Sequence, residues 1–256
     1  MRIQSFRGVG IVGRRERGML LILLAMAAGA ADGWSFLGMG KAFVANMTGN
    51  TVLLGISFFH LHGALHPAAA LGGYVVGVAL ASYVTGRHAR RIQEENLEPP
   101  ERVIWSRAVS WILLAECACL AAAEAVWFAR CRGAGIPDYV PLIFVAVCIG
   151  AQSGAMLQLR VPGIVTTYIT GTWTQMVRGL TRVITGENIA APVEKPEFEE
   201  QLRMQGQILV AYFASAVLTG WLFYHAAALT GVVPVICLGV AGIYGMLRGG
   251  AYSLSD

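Results

Sequence analysis

Residues 18–51 are GMLLILLAMAAGAADGWSFLGMGKAFVANMTGNT, and they combine a long apolar run with a polar, glycine-containing continuation. The apolar run, 18–37, has the ~20 residues that an α-helix needs to cross a bilayer. Asp32 lies inside this run, and glycines interrupt the chain at Gly38–Lys41 and again in Asn46–Thr51. The stretch therefore predicts a membrane-spanning helix followed by a broken segment at or near membrane depth.

The composition of the whole chain extends this prediction to a membrane protein with several spans. Of 256 residues, 56% are hydrophobic and only 13% are charged, and the mean hydropathy is +0.60. Soluble domains average about 25% charged residues, so an ordinary soluble enzyme and a nucleic-acid partner are excluded. We expect an all-α polytopic membrane helix bundle in the lipid bilayer, with spans at about 18–37, 67–86, 105–129, 139–159, 205–226 and 230–247.

Two short motifs recur in the same order in the two halves of the chain. Gly29–Gly33 (GAADG) is echoed by Gly150–Gly154 (GAQSG), each inside or at the end of an apolar run. Each is followed by a break and then by a Thr-Gly element, Asn46–Thr51 in the first half and Tyr168–Trp173 in the second. Two motifs that recur in the same order in both halves predict an internal repeat.

The predicted organisation is a single membrane domain, 18–256, after a basic N-terminal segment, 1–17. The domain is expected to consist of two four-segment repeats, about 18–129 and 139–248. If the Thr-Gly segments are broken and do not cross, there are six full spans and the repeats are inverted. If they cross, there are eight spans and the repeats are parallel.

The distribution of basic residues favours six spans with a cytoplasmic N-terminus. Six crossings place all of the 19 lysines and arginines on the cytoplasmic side except Lys41, Arg130 and Arg132. Eight crossings would place seven of them outside, against the tendency of short cytoplasmic loops to carry the basic residues. The six-span arrangement is therefore preferred, although 42–59 is apolar enough to cross.

The Thr-Gly elements also carry a family resemblance. FVANMTGNTVLLG (Phe43–Gly55), with Asp32 upstream, and TTYITGT (Thr166–Thr172) resemble the paired signatures of the YoaK-like bacterial membrane proteins, a family of unknown function. The resemblance implies a multi-pass protein of the bacterial inner (cytoplasmic) membrane and no established activity. The chain departs from the family pattern after Gln152, where Ser153 stands in place of the usual asparagine.

A transporter of a small polar solute or an ion, with one polar site shared between the two Thr-Gly helix breaks, is the function that the sequence favours. Transporters place helix breaks at corresponding positions of two repeats to build a substrate site, and ionisable groups inside spans are costly enough to suggest function. Glu116, near the middle of its run, is the candidate proton- or ion-coupling residue. The candidate substrate-binding residues are Asp32, Asn46, Thr48, Gly49, Asn50, Gln152, Thr167, Thr170, Gly171 and Thr172.

Two other functions are weighed against transport: a non-transporting membrane scaffold or sensor, and a membrane-embedded enzyme. Ser153 with His225 as a distant base could form a hydrolase, but GAQSG is not the G-x-S-x-G of a nucleophile elbow, so no catalytic residue is expected. The cluster His60, His62 and His66 is better explained as loop histidines than as a metal site. No metal and no cofactor are expected, and a homo-oligomer is left open.

The orientation can be tested at Asn96, in the polar segment between Arg87 and Arg107. In a variant without the five native cysteines, Asn96→Cys should resist a membrane-impermeant maleimide in intact cells and react after permeabilisation, because this arginine-rich segment is expected in the cytoplasm. Strong labelling in intact cells would establish eight crossings and parallel repeats instead.

Overall fold

A computed structural model describes residues 9–11, 14–59, 63–94, 104–157, 169–185 and 195–248. Within these ranges the chain forms eight α-helices, one 3-10 turn at Ala227–Leu229, and two three-residue strands that pair antiparallel with Val9 opposite Ser106. The elements in order are β1 (Val9–Ile11), α1 (Arg14–Gly38), α2 (Met47–Ser57), α3 (Leu65–Glu94), β2 (Ile104–Ser106), α4 (Arg107–Cys131), α5 (Tyr139–Leu157), α6 (Ile169–Thr185), α7 (Lys195–His225) and α8 (Val232–Arg248).

Six of these helices, all but α2 and α6, are long and apolar enough to cross a membrane. The all-α membrane bundle and its six-span form are confirmed at this level of length and composition. Helix α2 has 11 residues and extends only about 16 Å at 1.5 Å per residue, roughly half of a bilayer's hydrocarbon thickness. Helix α6 carries Arg178 and Arg182 within its 17 residues.

Two helices extend further than their apolar runs predict. Helix α3 continues to Glu94 and α7 begins at Lys195, so the polar loops expected at 87–107 and 185–203 are shorter than expected. Both extensions are rich in Arg, Glu and Gln, which favour helices almost as strongly as leucine does. Hydropathy marks where a helix enters the membrane, and these helices continue past that point.

Side-chain contacts between helix ends define the two ends of the bundle. At the end where α1 begins, the Tyr244 hydroxyl of α8 donates to Glu16 of α1 (2.8 Å); we call this the proximal end. At the end where α1 finishes, His66 at the start of α3 bonds Asp138 just before α5 (2.8 Å); we call this the distal end. The indole N–H of Trp127, late in α4, donates there to the Ala227 carbonyl (2.6 Å).

Close glycine contacts hold the helix pairs together. Helix α1 packs against α7, and α5 packs against α3. The Cα of Gly29 approaches the backbone of Tyr212 so closely that a Cβ would strike its carbonyl oxygen, and Gly150 lies in the same relation to Tyr74. If the halves α1–α4 and α5–α8 are equivalent, α5 corresponds to α1 and α3 corresponds to α7, so the α1–α7 and α5–α3 contacts are also equivalent. It supports the internal repeat, which stays a prediction.

The buried core lies between α1, α4, α5 and α8, where the fully buried side chains include Leu24, Leu113, Leu142, Ile149 and Leu238. The outward faces of α3, α4 and α7 expose large apolar side chains instead. In a protein that spans a membrane these faces meet lipid, where apolar exposure costs nothing. The polar side chains that remain inside the bundle are therefore few and identifiable.

The α3–α5 contact gives a test with an internal control. Gly77→Ala would place a methyl group against the Val147 carbonyl and 2.7 Å from the Ala151 amide nitrogen, and overpacking of this kind typically costs about 1–3 kcal/mol. We expect thermal unfolding in detergent at a clearly lower temperature. Gly72→Ala, on the same helix and with open space around it, should leave the melting temperature unchanged; equal effects of the two substitutions would contradict the contact.

Candidate functional site

Asp32 is buried on α1, and both oxygens of its carboxylate accept hydrogen bonds from other parts of the chain. The backbone N–H groups of Val44 and Ala45 donate to Oδ1 (2.8 and 2.7 Å), and the Tyr212 hydroxyl of α7 donates to Oδ2 (2.5 Å). Its side chain therefore joins α1, α7 and the non-helical linker that leads to α2. Non-helical backbone is tolerated at membrane depth only where such partners exist.

The linker turns back along α1 after that helix ends. Gly40 has φ +78°, and a Cβ on it would collide with the His66 ring, so only glycine fits there. Lys41 follows with φ +61°, an uncommon conformation for a residue with a side chain. The Phe43 ring then stacks on Phe36 at a centroid distance of 4.8 Å, one turn of α1 beyond Asp32.

The two asparagines of the first Thr-Gly element stabilise this turn and the start of α2. The Asn46 side chain caps α2 by accepting from the Gly49 N–H (3.1 Å). The Asn50 amide accepts from the Phe43 N–H (2.9 Å) and donates to the Phe43 carbonyl (2.5 Å). Both amides, which the sequence proposed for a ligand, therefore bond to the backbone of their own segment.

The second Thr-Gly element has the same place at the start of α6. Thr170 is exposed, Gly171 is half-buried and Thr172 is buried, while Thr167 lies outside the described residues. Ile169 packs with Leu21, Ala25 and Ile208, several turns inside the proximal end. Further along α6, the Gln175 side chain accepts from Gln205 of α7 (3.2 Å).

Helices α2 and α6 therefore both begin inside the bundle and lead outward, from opposite ends. Helix α2 starts beside Asp32 and is followed by the distal start of α3, whereas α6 starts beside Leu21 and Ala25 and runs toward the proximal start of α7. Their contact points on α1 are seven to eleven residues apart, roughly 10–17 Å along the axis. The structure thus gives the two Thr-Gly elements different neighbours at different depths, and a single shared site stays a prediction.

Gln152 and Ser153 lie on the buried side of α5. The Gln152 amide donates to the Leu24 carbonyl of α1 (3.2 Å), and the Ser153 hydroxyl donates to the Ile149 carbonyl of its own helix (2.9 Å). His225, the distant base considered for a hydrolase, bonds the Trp221 carbonyl at the distal end of α7 (2.8 Å). Ser153 is near the proximal end of α5, so the structure does not bring this pair together.

Glu116 is the carboxyl side chain whose two oxygens both lack a hydrogen-bond partner among the described residues, where the Trp34 indole nitrogen and the Thr219 hydroxyl are also unbonded. It lies in the middle of α4 and is only 3% exposed. Two thiols lie at this point between α4 and α5. The Cys148 thiol of α5 contacts the backbone carbonyl of Glu116 (3.7 Å), and the Cys119 thiol, one turn further along α4, contacts the backbone carbonyl of Phe144 on α5 (4.0 Å). The sequence identified this residue from its depth in the span.

Glu124 has a structural role that the sequence did not reveal. One of its carboxyl oxygens accepts from the Gly231 N–H (3.0 Å), at the start of α8. A carboxylate at a helix N-terminus accepts a hydrogen bond from an otherwise unpaired N–H, and its negative charge interacts favourably with the positive end of the helix dipole. The two residues are 107 positions apart, so no local motif in the sequence announces the contact.

An ion-pair cluster closes the distal end. Asp138 lies between His66 (2.8 Å) and Arg130 (3.9 Å), and Arg130 also donates to the Ile136 carbonyl (3.1 Å). Burial acts to raise the pKa of Asp138, but the hydrogen bond and charge of His66 and the charge of Arg130 outweigh it and hold this pKa below its usual range. His66 is thus an ion-pair partner; His60 and His62 lie outside the described residues.

No group of three or more metal-ligating side chains occurs within the described part of the chain. Asp32 bonds the linker and the half-buried Glu124 caps α8, whereas the buried Glu116, eight residues before Glu124 on α4, has no hydrogen-bond partner among the described residues. The arrangement can therefore hold a proton or a single cation at Glu116, and it offers a polar, non-helical backbone beside Asp32.

The role of Asp32 can be tested by two substitutions. Asp32→Asn keeps an acceptor for the Val44 and Ala45 N–H groups, whereas Asp32→Ala leaves both donors unpaired at a cost of about 1–3 kcal/mol each. We expect the alanine variant to unfold at a much lower temperature or to fail to accumulate, and the asparagine variant to remain close to the wild type. If both variants melt like the wild type, the carboxylate does not hold the linker.

The chain is similar in sequence to a family of bacterial membrane proteins. The family model described as "Protein of unknown function (DUF1275)" matches residues 20–244. The UPF0700 transmembrane protein YoaK of Bacillus subtilis (strain 168) is 27% identical over 214 residues, which cover 82% of this chain and 86% of that protein. No solved structure matches. The resemblance inferred from the Thr-Gly elements is thereby confirmed: from within α1 to the last turns of α8, the chain belongs to the DUF1275 family.

Proposed function

We propose that the protein is a transporter of a small polar solute or an ion, with Glu116 as the group that carries the coupled proton or cation. The observation that carries the proposal is the isolation of Glu116, buried in a six-span bundle with neither carboxyl oxygen bonded among the described residues. Placing an ionised carboxylate at the centre of a span costs ~2.5–3.5 kcal/mol even on the lenient insertion scale. The group must therefore hold a proton or meet a cation.

A purely structural role is less able to explain this position. Glu116 lies on the buried stripe of α4 formed with Val109, Leu113, Leu120 and Ala123, and an apolar side chain there would pack at no electrostatic cost. Asp32 and Glu124 both satisfy backbone N–H groups, but Glu116 has no such task. A costly group without a structural task is the usual mark of an ion or proton pathway.

The two short helices support transport as well. Both α2 and α6 begin inside the bundle, one from each end. Transporters built from repeats place discontinuous helices of this kind around the substrate, because the ends of half-helices offer unpaired polar groups to it. Thr48 and Thr170 are exposed in the first turns of α2 and α6, which suits a small polar solute.

For the membrane orientation, we propose that the proximal end faces the cytoplasm of a bacterial inner membrane. The basic segment 1–17 includes the start of α1. The proximal ends of α3, α4 and α7 carry five more arginines: Arg87, Arg90, Arg91, Arg107 and Arg203. Short loops with this excess of basic residues are retained in the cytoplasm. No catalytic step is assigned to any residue.

The test compares Glu116→Gln with Glu124→Gln, a matched control on the same helix. Purified protein in liposomes would be screened with labelled amino acids, polyols, nucleobases and organic cations under an imposed pH or sodium gradient. We expect the wild type and Glu124→Gln to accumulate at least one solute, and Glu116→Gln to exchange that solute at near wild-type rates but lose accumulation at least tenfold. The reason is that a glutamine can neither release a proton nor pair with a cation.

Two results would contradict the proposal. Accumulation by Glu116→Gln equal to that of the wild type would remove the coupling role and make Glu116 a packing residue. If the wild type moves no solute faster than protein-free liposomes do, the protein does not transport these classes of solute.

A further inference from the structure

Helix α6 presents an apolar face that the described residues leave uncovered. Apart from Val183 (58% exposed), its exposed apolar side chains are Trp173, Val177, Leu180 and Ile184, with exposed fractions of 52, 52, 42 and 83%. They are spaced four, three and four residues apart, so they form one stripe along the helix. The adjacent face, with Gly179, packs on Phe198 and Leu202 of α7.

The remaining face of α6 is polar, and its two charges are both positive. Arg178 and Arg182 are one turn apart, with Arg178 exposed and Arg182 half-buried. The Thr174, Thr181 and Thr185 hydroxyls donate back to carbonyls of their own helix (2.9–3.0 Å), so they need no outside partner. No ion pair of either arginine occurs among the described residues, although Glu199 and Glu200 stand nearby on α7.

The length of α7 fixes the depth of these arginines. Helix α7 has 31 residues, about 46 Å, whereas the hydrocarbon core of a bilayer is about 30 Å thick. Counting back about 20 residues from His225 at the distal end reaches Gln205, so Leu202 and Phe198 lie at the proximal headgroup level. Gly179 packs on those two residues, which places Arg178 and Arg182 at the same level.

We infer that α6 binds the phosphate of an anionic phospholipid in the proximal leaflet through Arg178 and Arg182, with Trp173 and Val177, at the inner end of the stripe, against the acyl chains. The guanidinium group matches phosphate geometry and forms charge-assisted hydrogen bonds with it. A basic polar face beside an apolar face is the pattern that recognises an anionic membrane surface. A phospholipid supplies both a phosphate for the arginines and acyl chains for the apolar side chains, whereas a free phosphate ion supplies only the first.

Helix α2 provides an internal comparison. It begins inside the bundle from the distal end as α6 does from the proximal end, and it exposes Val52 and Ile56. Its sequence, MTGNTVLLGIS, contains no charged residue. The preference for anionic lipid is therefore expected at the proximal end only.

The experiment measures thermal unfolding of the full-length protein in neutral detergent with added phosphatidylglycerol, phosphatidylcholine of the same acyl chains, or inorganic phosphate. We expect phosphatidylglycerol to raise the melting temperature about 2–4 °C above the value with phosphatidylcholine, and inorganic phosphate to have no effect. Arg178→Gln/Arg182→Gln should abolish this difference. Arg132→Gln, which removes an exposed arginine at the distal end, should retain it.

Several outcomes would overturn the inference: equal shifts with the two lipids, an equal shift with inorganic phosphate, or an unchanged lipid difference in the double variant. Should the double variant fail to fold, native mass spectrometry of the wild type decides the matter. Preferential retention of phosphatidylglycerol that is lost in Arg182→Gln alone supports the inference, and retention of both lipids in equal amounts refutes it.

Discussion

The N–H groups of Val44 and Ala45 lie where water cannot pair with them, and the two bonds that they donate to Asp32 make the distal part of the structure feasible. An α-helix satisfies its own backbone inside a bilayer, but a chain that stops being helical there must find other acceptors. Asp32 supplies them and is fixed by Tyr212 in turn. The return of the linker along α1, the capping of α2 by Asn46 and the approach of Gly40 to His66 all follow from this anchoring.

The buried Asp32 and Glu116 and the half-buried Glu124 illustrate how similar groups take different roles according to their neighbours. Asp32 and Glu124 act as acceptors for backbone groups that are remote in sequence. Glu116 lies on a buried stripe of apolar side chains, and both of its oxygens are unbonded among the described residues. A carboxyl group therefore stabilises two helix junctions, at Asp32 and Glu124. At Glu116 no hydrogen bond among the described residues offsets the free-energy cost of burying it.

Properties that depend on depth in a span were predictable from sequence, and properties that depend on distant contacts were not. Hydropathy found the six spans and singled out Glu116, because both follow from the local density of apolar residues. It could not reveal that Asn50 bonds the Phe43 backbone, or that Glu124 caps a helix 107 residues away, since these partners are chosen by tertiary packing. It also ended α3 too early and began α7 too late, because helix propensity extends beyond the apolar residues.

The extensions of α3 and α7 have a consequence for how the protein enters its membrane. Both project from the proximal end, as the end of α3 and the beginning of α7, although the pairs α1–α7 and α5–α3 pack alike through Gly29 and Gly150. If the halves α1–α4 and α5–α8 are inverted repeats, the apolar core by itself favours neither orientation in the membrane. Both charged helical extensions lie at the proximal end, so we expect them to set the orientation in which the chain inserts.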